Sequence, residues 1–372
     1  MNIILFFTYD ISLKDWEKSG LLDREIEFYK KLHEKYNIYF TFLTFGDIED
    51  SKIIDLPYIT VEPIYKYIKY EKNKTLRFLR SLFIPIKLKK LIKEANLIKT
   101  NQLLGSWVAI ISKILYGKSL IIRTGYDLLT FSKKNKKSRF KIACYSVLTK
   151  ISLVFANIYL VSSEADKEFL CELSGLGSSK IKVRPNWVKK NNGSNQNKRY
   201  KNKIISVGRL ENQKNFTQLI SFFKDSKYEI EIFGEGSMEN QLIDEAKKNN
   251  VKLKIHEPIP NNELLDVLTH YSFFISTSLF EGNPKAVLEA MAAGCVVIAI
   301  ENENIIEIVE NNFNGIIINK ETDVKQLIES LEKDHEKRLH LSTNAVNFIE
   351  QNYLIEKVVE KEYEDYILLD SS

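Results

Sequence analysis

Short apolar runs rich in β-branched residues alternate with amphipathic helical stretches along this chain, and they do so in two series. The first series opens with "NIILFF" and a helix through "LLDREIEFYKKLHEKY", then continues with "IYFTFLTF", "KSLIIRTG" and "IYLVSS". The second begins at "IISVGRL", passes through "YEIEIFG", "VKLKIHEPI" and "SFFISTS", and closes with "CVVIAIE" and "NGIIIN". That rhythm belongs to parallel sheets covered by helices on both faces, an α/β fold. Between the series, "VRPNWVKKNNGSNQNKRYKNK" abandons periodicity for Asn, Lys, Gly and Ser and reads as a linker. At 372 residues the chain is longer than one doubly wound unit needs, so two domains are expected, each with its own core. The expected division is a first domain over 1–188, a linker over 189–203, a second domain over 204–350, and a helix over 351–372 packing back on the first. Two α/β units joined by a hinge bind ligands in a cleft along the carboxyl ends of their strands.

The ends and the cysteines bear on the compartment. "MNIILFFTYD" lacks a basic leader and turns polar after seven residues, so it reads as a core strand and not as a signal peptide. Cys144, Cys171 and Cys295 are widely spaced in apolar surroundings, which points to buried thiols in a reducing cytoplasm. The run "IACYSVLTKISLVFANIYLVSS" carries Lys150 and several polar positions, so a buried helix followed by a strand is expected there, not a membrane span.

Charge is distributed unevenly. Between Lys66 and Lys93 stand ten Lys or Arg and a single acid, Glu71, interleaved with Leu, Ile, Phe and Tyr. Such a segment can rest on an anionic bilayer at the inner face of the plasma membrane, or it can be a solvated helix pair divided by Pro85. Nucleic acid is not the expected partner, because no zinc finger, helix-turn-helix or single-strand-binding signature accompanies the charge.

Two stretches of the second series carry candidate chemistry. "LFEGNPKAVLEAMAAG" sets Glu281 in the loop after an apolar strand and Glu289 eight positions later on a small-residue helix, with Pro284 in its first turn and Asn283 as its cap. "SVGRLENQKN" places Gly208, Arg209 and Lys214 at the end of a strand, where a bis-anion would be met by an Arg fork and a Lys point charge. "FGEGSMENQL" supplies Gly234 and Gly236 but no third glycine, so it is a close-approach or packing turn and not a dinucleotide fingerprint.

Taken together, "SVGRLENQKN", "IFGEGSMENQL" and "SLFEGNPKAVLEAMAAGCVVIA" resemble the retaining glycosyltransferases of family 4, the glycosyl transferases group 1, whose GT-B fold has two facing Rossmann-like domains and an interdomain cleft. The likeness is strong from Ile204 to about Ile318, with a Glu-x7-Glu element at Glu281 and Glu289, and looser in the first domain through "WEKSGLLDREIEFYKKL" and "VRPNWV". The resemblance implies a hexosyltransferase that takes its sugar from a UDP- or GDP-sugar and requires no metal or other cofactor. Within that class the basic stretch from Lys66 to Lys93 points to a glycan or polyprenyl-linked acceptor, in cell-surface polysaccharide or lipopolysaccharide synthesis, with a soluble small molecule or protein as the alternative.

By the same resemblance, Arg209 and Lys214 would hold the donor diphosphate, Glu289 the ribose hydroxyls, and Glu281 the transferred sugar. Gly208, Gly234, Gly282, Asn283 and Pro284 would line the donor, and Gly20 would let the first domain's opening loop pass close to the diphosphate. Many relatives carry a histidine after the first domain's fourth strand, where this chain reads "IIRTGYDLLTF". Arg123, Tyr126 and Asp127 could supply sugar or acceptor contacts from that loop, or the stretch could be a structural turn. His33 lies in an amphipathic helix and reads as a satisfied or surface residue.

Overall fold

The structure, a computed structural model, describes residues 1–125, 128–134, 137–175, 179–191 and 199–370. The chain forms two compact units, one made of Met1–Pro185 with the chain from Val359 onward, the other of Asn186–Val358.

In the first unit seven strands form one sheet: β1 (Asn2–Phe6), β2 (Tyr39–Thr44), β3 (Ile59–Pro63), β4 (Leu97–Thr100), β5 (Ser119–Arg123), β6 (Ile158–Val161) and β7 (Ile181–Val183). Their order is β3-β2-β1-β4-β5-β6-β7 and every pairing is parallel. Parallel strands are buried on both faces, which is why β4 and β6 are buried throughout. The N-terminal run is thus an inner strand, flanked by β2 and β4.

The second unit contains β8 (Lys203–Val207), β9 (Glu229–Phe233), β10 (Lys252–His256), β11 (Phe273–Ser276), β12 (Val296–Ile300) and β13 (Ile316–Ile318). The order is β10-β9-β8-β11-β12-β13, again all parallel. Alternate residues serve its two faces: Ile204, Ile230, Ile232 and Ile298 enter one core cluster, while Ile205, Phe274, Val297 and Ala299 enter another with the helix Lys285–Ala292. Each fully buried side chain of this size contributes roughly 1.5–3 kcal/mol. In both sheets the order reverses beside the first strand, between β1 and β4 and between β8 and β11, and ligands of open α/β sheets bind at that crevice.

The last helix, Ile355–Asp370, passes from one unit into the other at Val358–Val359. In the first unit it lays Glu362 and Tyr366 over the middle of the sheet. Lys99 of β4, only 1% exposed, is ion-paired with Glu362, and the Tyr366 hydroxyl donates to the same carboxylate at 2.7 Å. Burial would raise the Glu362 carboxyl, but the charges of Lys99 and Arg123 and hydrogen bonds from Lys99 and Tyr366 outweigh it and hold the group below the ordinary carboxylate value. Three residues on, Asp365 receives Lys182 at 2.7 Å and Arg184 at 2.6 Å.

Three features depart from the sequence reading. The helix Arg139–Phe155 is not buried, for Phe140, Cys144, Val147, Ile151 and Val154 are all exposed along one side. Cys144 is therefore an exposed thiol, whereas Cys171 is half-buried and Cys295 buried; all three are free. The basic stretch folds into the helices Lys74–Ser81, Ile84–Lys87 and Lys89–Glu94, but Arg77 turns inward to Asp10 at 2.6 Å instead of facing solvent. Among the described residues no helix is long and apolar enough to cross a membrane.

Candidate functional site

Three loops meet at the carboxyl ends of β8, β9 and β10. Gly208 N–H donates to Phe233 O and Gly234 N–H to His256 O, each at 3.0 Å. A Cβ on Gly234 would overlap the Gly208 carbonyl, and one on Gly208 would stand 2.8 Å from Lys214 Cε. Glycine at both positions lets one loop lie on another and lets Lys214 fold back over the strand end. Glu211 fixes the arrangement by accepting from Ser237 N–H at 3.2 Å and Ser237 Oγ at 3.1 Å. At the end of β10, His256 stacks on Phe233 with centroids 4.2 Å apart and meets the Glu231 carboxylate at 2.6 Å. Burial pushes Glu231 up, yet hydrogen bonds from Lys203, His256 and Tyr271 win and hold it below its ordinary value.

The loops after β8 and β11 are laced across the reversal of strand order. Leu279 N–H donates to Gln213 O, the Gln213 side chain to Phe280 O, and Thr277 Oγ1 to Lys214 O, all at 2.9 Å. This backbone lacing carries Lys214 Nζ to 2.5 Å from Glu281 Oε1. Arg209, by contrast, is exposed and its guanidinium has no polar partner among the described residues. One cation is thus committed to the carboxylate and one is free to meet an anion.

The helix that follows departs from expectation at its start. Pro284, not Asn283, is the capping residue, and the helix runs Lys285–Ala292 without a side-chain cap. Asn283 is spent elsewhere: its Oδ1 accepts from Asn186 N–H at 2.8 Å, and its carbonyl accepts from Asn186 Nδ2 at 2.7 Å. The N–H groups of Gly282 and Asn283 have no acceptor among the described residues, so they add to the positive end of the helix dipole. One turn further, Glu289 is buried. Lys285 Nζ lies 3.1 Å from its Oε1, Asn261 Nδ2 donates to the same oxygen, and Lys285 also donates to Asn261 Oδ1 at 2.9 Å.

The sequence reading missed Asn261, Lys285 and Arg199. Asn261 meets partners 24 and 28 positions away, and Lys285, four residues before Glu289, reads as an ordinary surface helix pair. Arg199 falls in the stretch read as linker, but its guanidinium donates to Tyr271 O at 2.8 Å, Gly294 O at 2.7 Å and Ala293 O at 3.0 Å. It therefore caps the carboxyl end of the helix that carries Glu289. Charge at that helix end was the one available signal, and the surrounding Asn and Lys masked it.

Gly208, Arg209, Lys214, Gly234, Glu281, Gly282, Asn283, Pro284 and Glu289 all belong to the second unit. Gly20 and Arg123 belong to the first. Gly20 adopts a left-handed φ of +66° after the helix Leu13–Lys18, with open space where a Cβ would stand. Arg123 ends β5, and its charge acts on Glu362. Tyr126 and Asp127 lie outside the described residues. His33 is satisfied, with Nδ1 3.1 Å from Ile38 O and the ring stacked on Tyr58 at 4.4 Å.

Residues 188–348 match the family model described as glycosyl transferases group 1. That span carries the likeness: over it the chain is similar to the group 1 glycosyl transferases. A curated member of this kind, the N-acetylgalactosamine-N,N'-diacetylbacillosaminyl-diphospho-undecaprenol 4-alpha-N-acetylgalactosaminyltransferase of Campylobacter jejuni, is 24% identical over 63% of this chain and 66% of its own length. The UDP-Gal:alpha-D-GlcNAc-diphosphoundecaprenol alpha-1,3-galactosyltransferase of Escherichia coli is 32% identical over 43% of this chain and 44% of its own. Among solved structures, Anabaena HepE in complex with UDP superposes with a TM-score of 0.75 at 16% identity, covering 99% of this chain and 100% of that one. The fold is GT-B, built from two Rossmann-like α/β units. The matched span holds both glutamates and the Arg209 and Lys214 cations, whereas Gly20 and Arg123 fall outside it.

Proposed function

We propose that this protein is a group 1 glycosyl transferase that moves a sugar from a UDP- or GDP-sugar to a glycan carried on a polyprenyl diphosphate, with retention of anomeric configuration, in cell-surface polysaccharide or lipopolysaccharide synthesis. The observation that carries the reading is the Lys214–Glu281 pair beside the unpartnered Arg209 at the reversal of strand order. Breaking the bond between the anomeric carbon and the diphosphate leaves negative charge on phosphate and an oxocarbenium-like sugar. Arg209 and Lys214 neutralise the first, Glu281 stabilises the second, and no metal is called upon. The N–H groups of Gly282 and Asn283, with Pro284 at the helix start, favour the same anionic group. Gly208 and Gly234 keep the floor of the donor site low enough for backbone approach, and Glu289 takes the ribose hydroxyls. By the sequence resemblance alone, Gly20, Arg123, Tyr126 and Asp127 are the first unit's candidates for ligand contact. The acceptor hydroxyl attacks on the face the diphosphate leaves, and its proton passes to a diphosphate oxygen.

Both curated relatives act, by name, on diphospho-undecaprenol-linked sugars, which supports an acceptor of that class. Lys69, Lys72, Lys74, Lys87, Lys89, Lys90 and Lys93 are exposed without ion pairs among the described residues, in keeping with contact between 66–93 and an anionic membrane on its cytoplasmic side. The test is incubation with a panel of UDP- and GDP-sugars and an undecaprenyl-diphosphate-linked glycan, with the product's anomeric configuration read by NMR. One donor should give a product of unchanged configuration. Transfer with inversion would remove the retaining assignment, and absence of nucleoside diphosphate binding would remove the reading as a whole.

A further inference from the structure

The helix Arg139–Phe155 is built inside out. Its inner side holds two small polar groups, Thr149 and Ser152, beside Leu153, with Ser152 Oγ 3.0 Å from Ser106 Oγ, while its outer side exposes Phe140 (78%), Val147 (57%), Ile151 (42%) and Val154 (64%). Counting Cys144, these positions repeat at intervals of four and three, which places them in one stripe along the helix. An apolar stripe of this length turned to solvent calls for a partner surface.

The neighbouring elements continue it. The helix Ser106–Tyr116 packs against Arg139–Phe155 through the Ser106–Ser152 contact and exposes Ile114 and Leu115. On its other flank Trp107 Nε1 donates to Ser81 Oγ at 2.9 Å and Tyr116 OH to Pro85 O at 3.0 Å, joining it to the basic helices that expose Phe83 and Ile86. One layer of the first unit therefore presents apolar side chains from three successive segments.

Charge selects the occupant. From Leu128 to Phe155 the sequence holds seven Lys or Arg and no acid, and the basic residues cluster at the helix start around Arg139 and Lys141. A second copy of this chain would set one all-basic segment against another, whereas an anionic bilayer complements both the charge and the apolar stripe. We propose that Arg139–Phe155 is a bilayer anchor, lying in the membrane interface with Phe140, Val147, Ile151 and Val154 among the acyl chains and the basic helix start among anionic headgroups. The inference rests on the membrane contact proposed for 66–93 for its lipid class, but it assigns the apolar anchorage to a different element.

The test is cosedimentation of the full chain with vesicles of phosphatidylglycerol and phosphatidylcholine in equal parts, and with phosphatidylcholine alone. Wild type should partition into the anionic vesicles and only weakly into the neutral ones. Removing two exposed valines from the interface with V147E/V154E should lower anionic partitioning by roughly tenfold or more, with an unchanged circular dichroism spectrum. Loss of partitioning in K89E/K90E together with undiminished partitioning of V147E/V154E would locate contact in 66–93 alone and overturn the anchor. Sedimentation equilibrium without lipid supplies the other decisive result, since a wild-type dimer that V147E/V154E dissociates would make the stripe a protein interface and overturn it also. UDP-sugar hydrolysis without lipid, unchanged in V147E/V154E, keeps failure of the anchor distinct from failure of the proposed reaction.

Discussion

Lys214 Nζ stands 2.5 Å from Glu281 Oε1 and so joins the loop after β8 to the loop after β11 at the reversal of strand order. Both side chains are largely buried, at 17% and 10% exposure, so each charge depends on the other for compensation until a ligand arrives. A diphosphate approaching Lys214 would share that cation and leave Glu281 free to turn to the sugar. Binding and chemistry are thereby coupled through one ammonium group.

Glu281→Gln keeps the shape of the side chain and removes its charge. Turnover should fall by roughly 10²–10³-fold, the range for removal of one electrostatic stabiliser, while affinity for the nucleoside diphosphate changes far less. Steady-state kinetics with calorimetric titration of the diphosphate separate the two. Loss of nucleotide binding with normal turnover of the remaining complex would reverse the roles assigned here.

Arg209→Ala removes the cation that lacks a protein partner. Because charge-assisted hydrogen bonds contribute about 1.5–3 kcal/mol, affinity for UDP or GDP should drop roughly tenfold to a hundredfold, and that for the bare nucleoside should stay within twofold or so. The same comparison for Lys214→Ala should add a loss of thermal stability, since Glu281 would be left buried and unpaired.

Two glycines should respond differently to alanine. At Gly234 the new Cβ would overlap the Gly208 carbonyl, so the strand ends must separate, with a destabilisation of about 1–3 kcal/mol and loss of nucleotide affinity. At Gly20 the space is open and only the left-handed φ opposes the change, so about 1 kcal/mol is expected. Chemical denaturation of both variants gives the comparison.

Arg199→Met should destabilise the second unit by several kcal/mol, because three carbonyls lose a charged donor at once. Hydrogen exchange across 285–294 should rise along with it. Rescue by Arg199→Lys should be incomplete, since an ammonium cannot span the planar fork.

The Lys99–Glu362 pair makes a pH-dependent prediction. A carboxyl held below its ordinary value adds stability that is present above the unfolded-state value and is lost as pH falls through the lower folded-state one. Denaturation midpoints should therefore decline below about pH 4.5, the ordinary glutamate range. K99M alone should lower stability by about 3–5 kcal/mol at neutral pH, and K99M/E362L should recover much of that loss with a flatter acid limb.

The second unit was the more legible half. Its strands are marked by Val, Ile and Phe, its loops by glycine, and the site residues sit within a few positions of strand ends, where spacing alone brings them together. In the first unit β3, β4 and β7 escaped notice for physical reasons. β4 reads "LIKT", in which Lys99 interrupts the apolar run that marks a buried strand, and the carboxylate that pairs with it stands at the far end of the chain. β7 has three residues, too few for a periodic signal. The cap of the second unit's central helix was misplaced because Asn283 had a competing use, two hydrogen bonds to Asn186, that local sequence does not announce.

Because the last helix returns to the first unit at Val359, the second unit is an insertion in the first and not its successor. A fragment ending at Pro185 would contain all seven strands of the first sheet yet leave the Lys99 ammonium in an apolar bed with its counter-charge missing. Expression of such a fragment should give an aggregating or proteolysed product. Adding residues 355–370 as a separate peptide should restore it, with the peptide folding onto the sheet as a sixteen-residue helix.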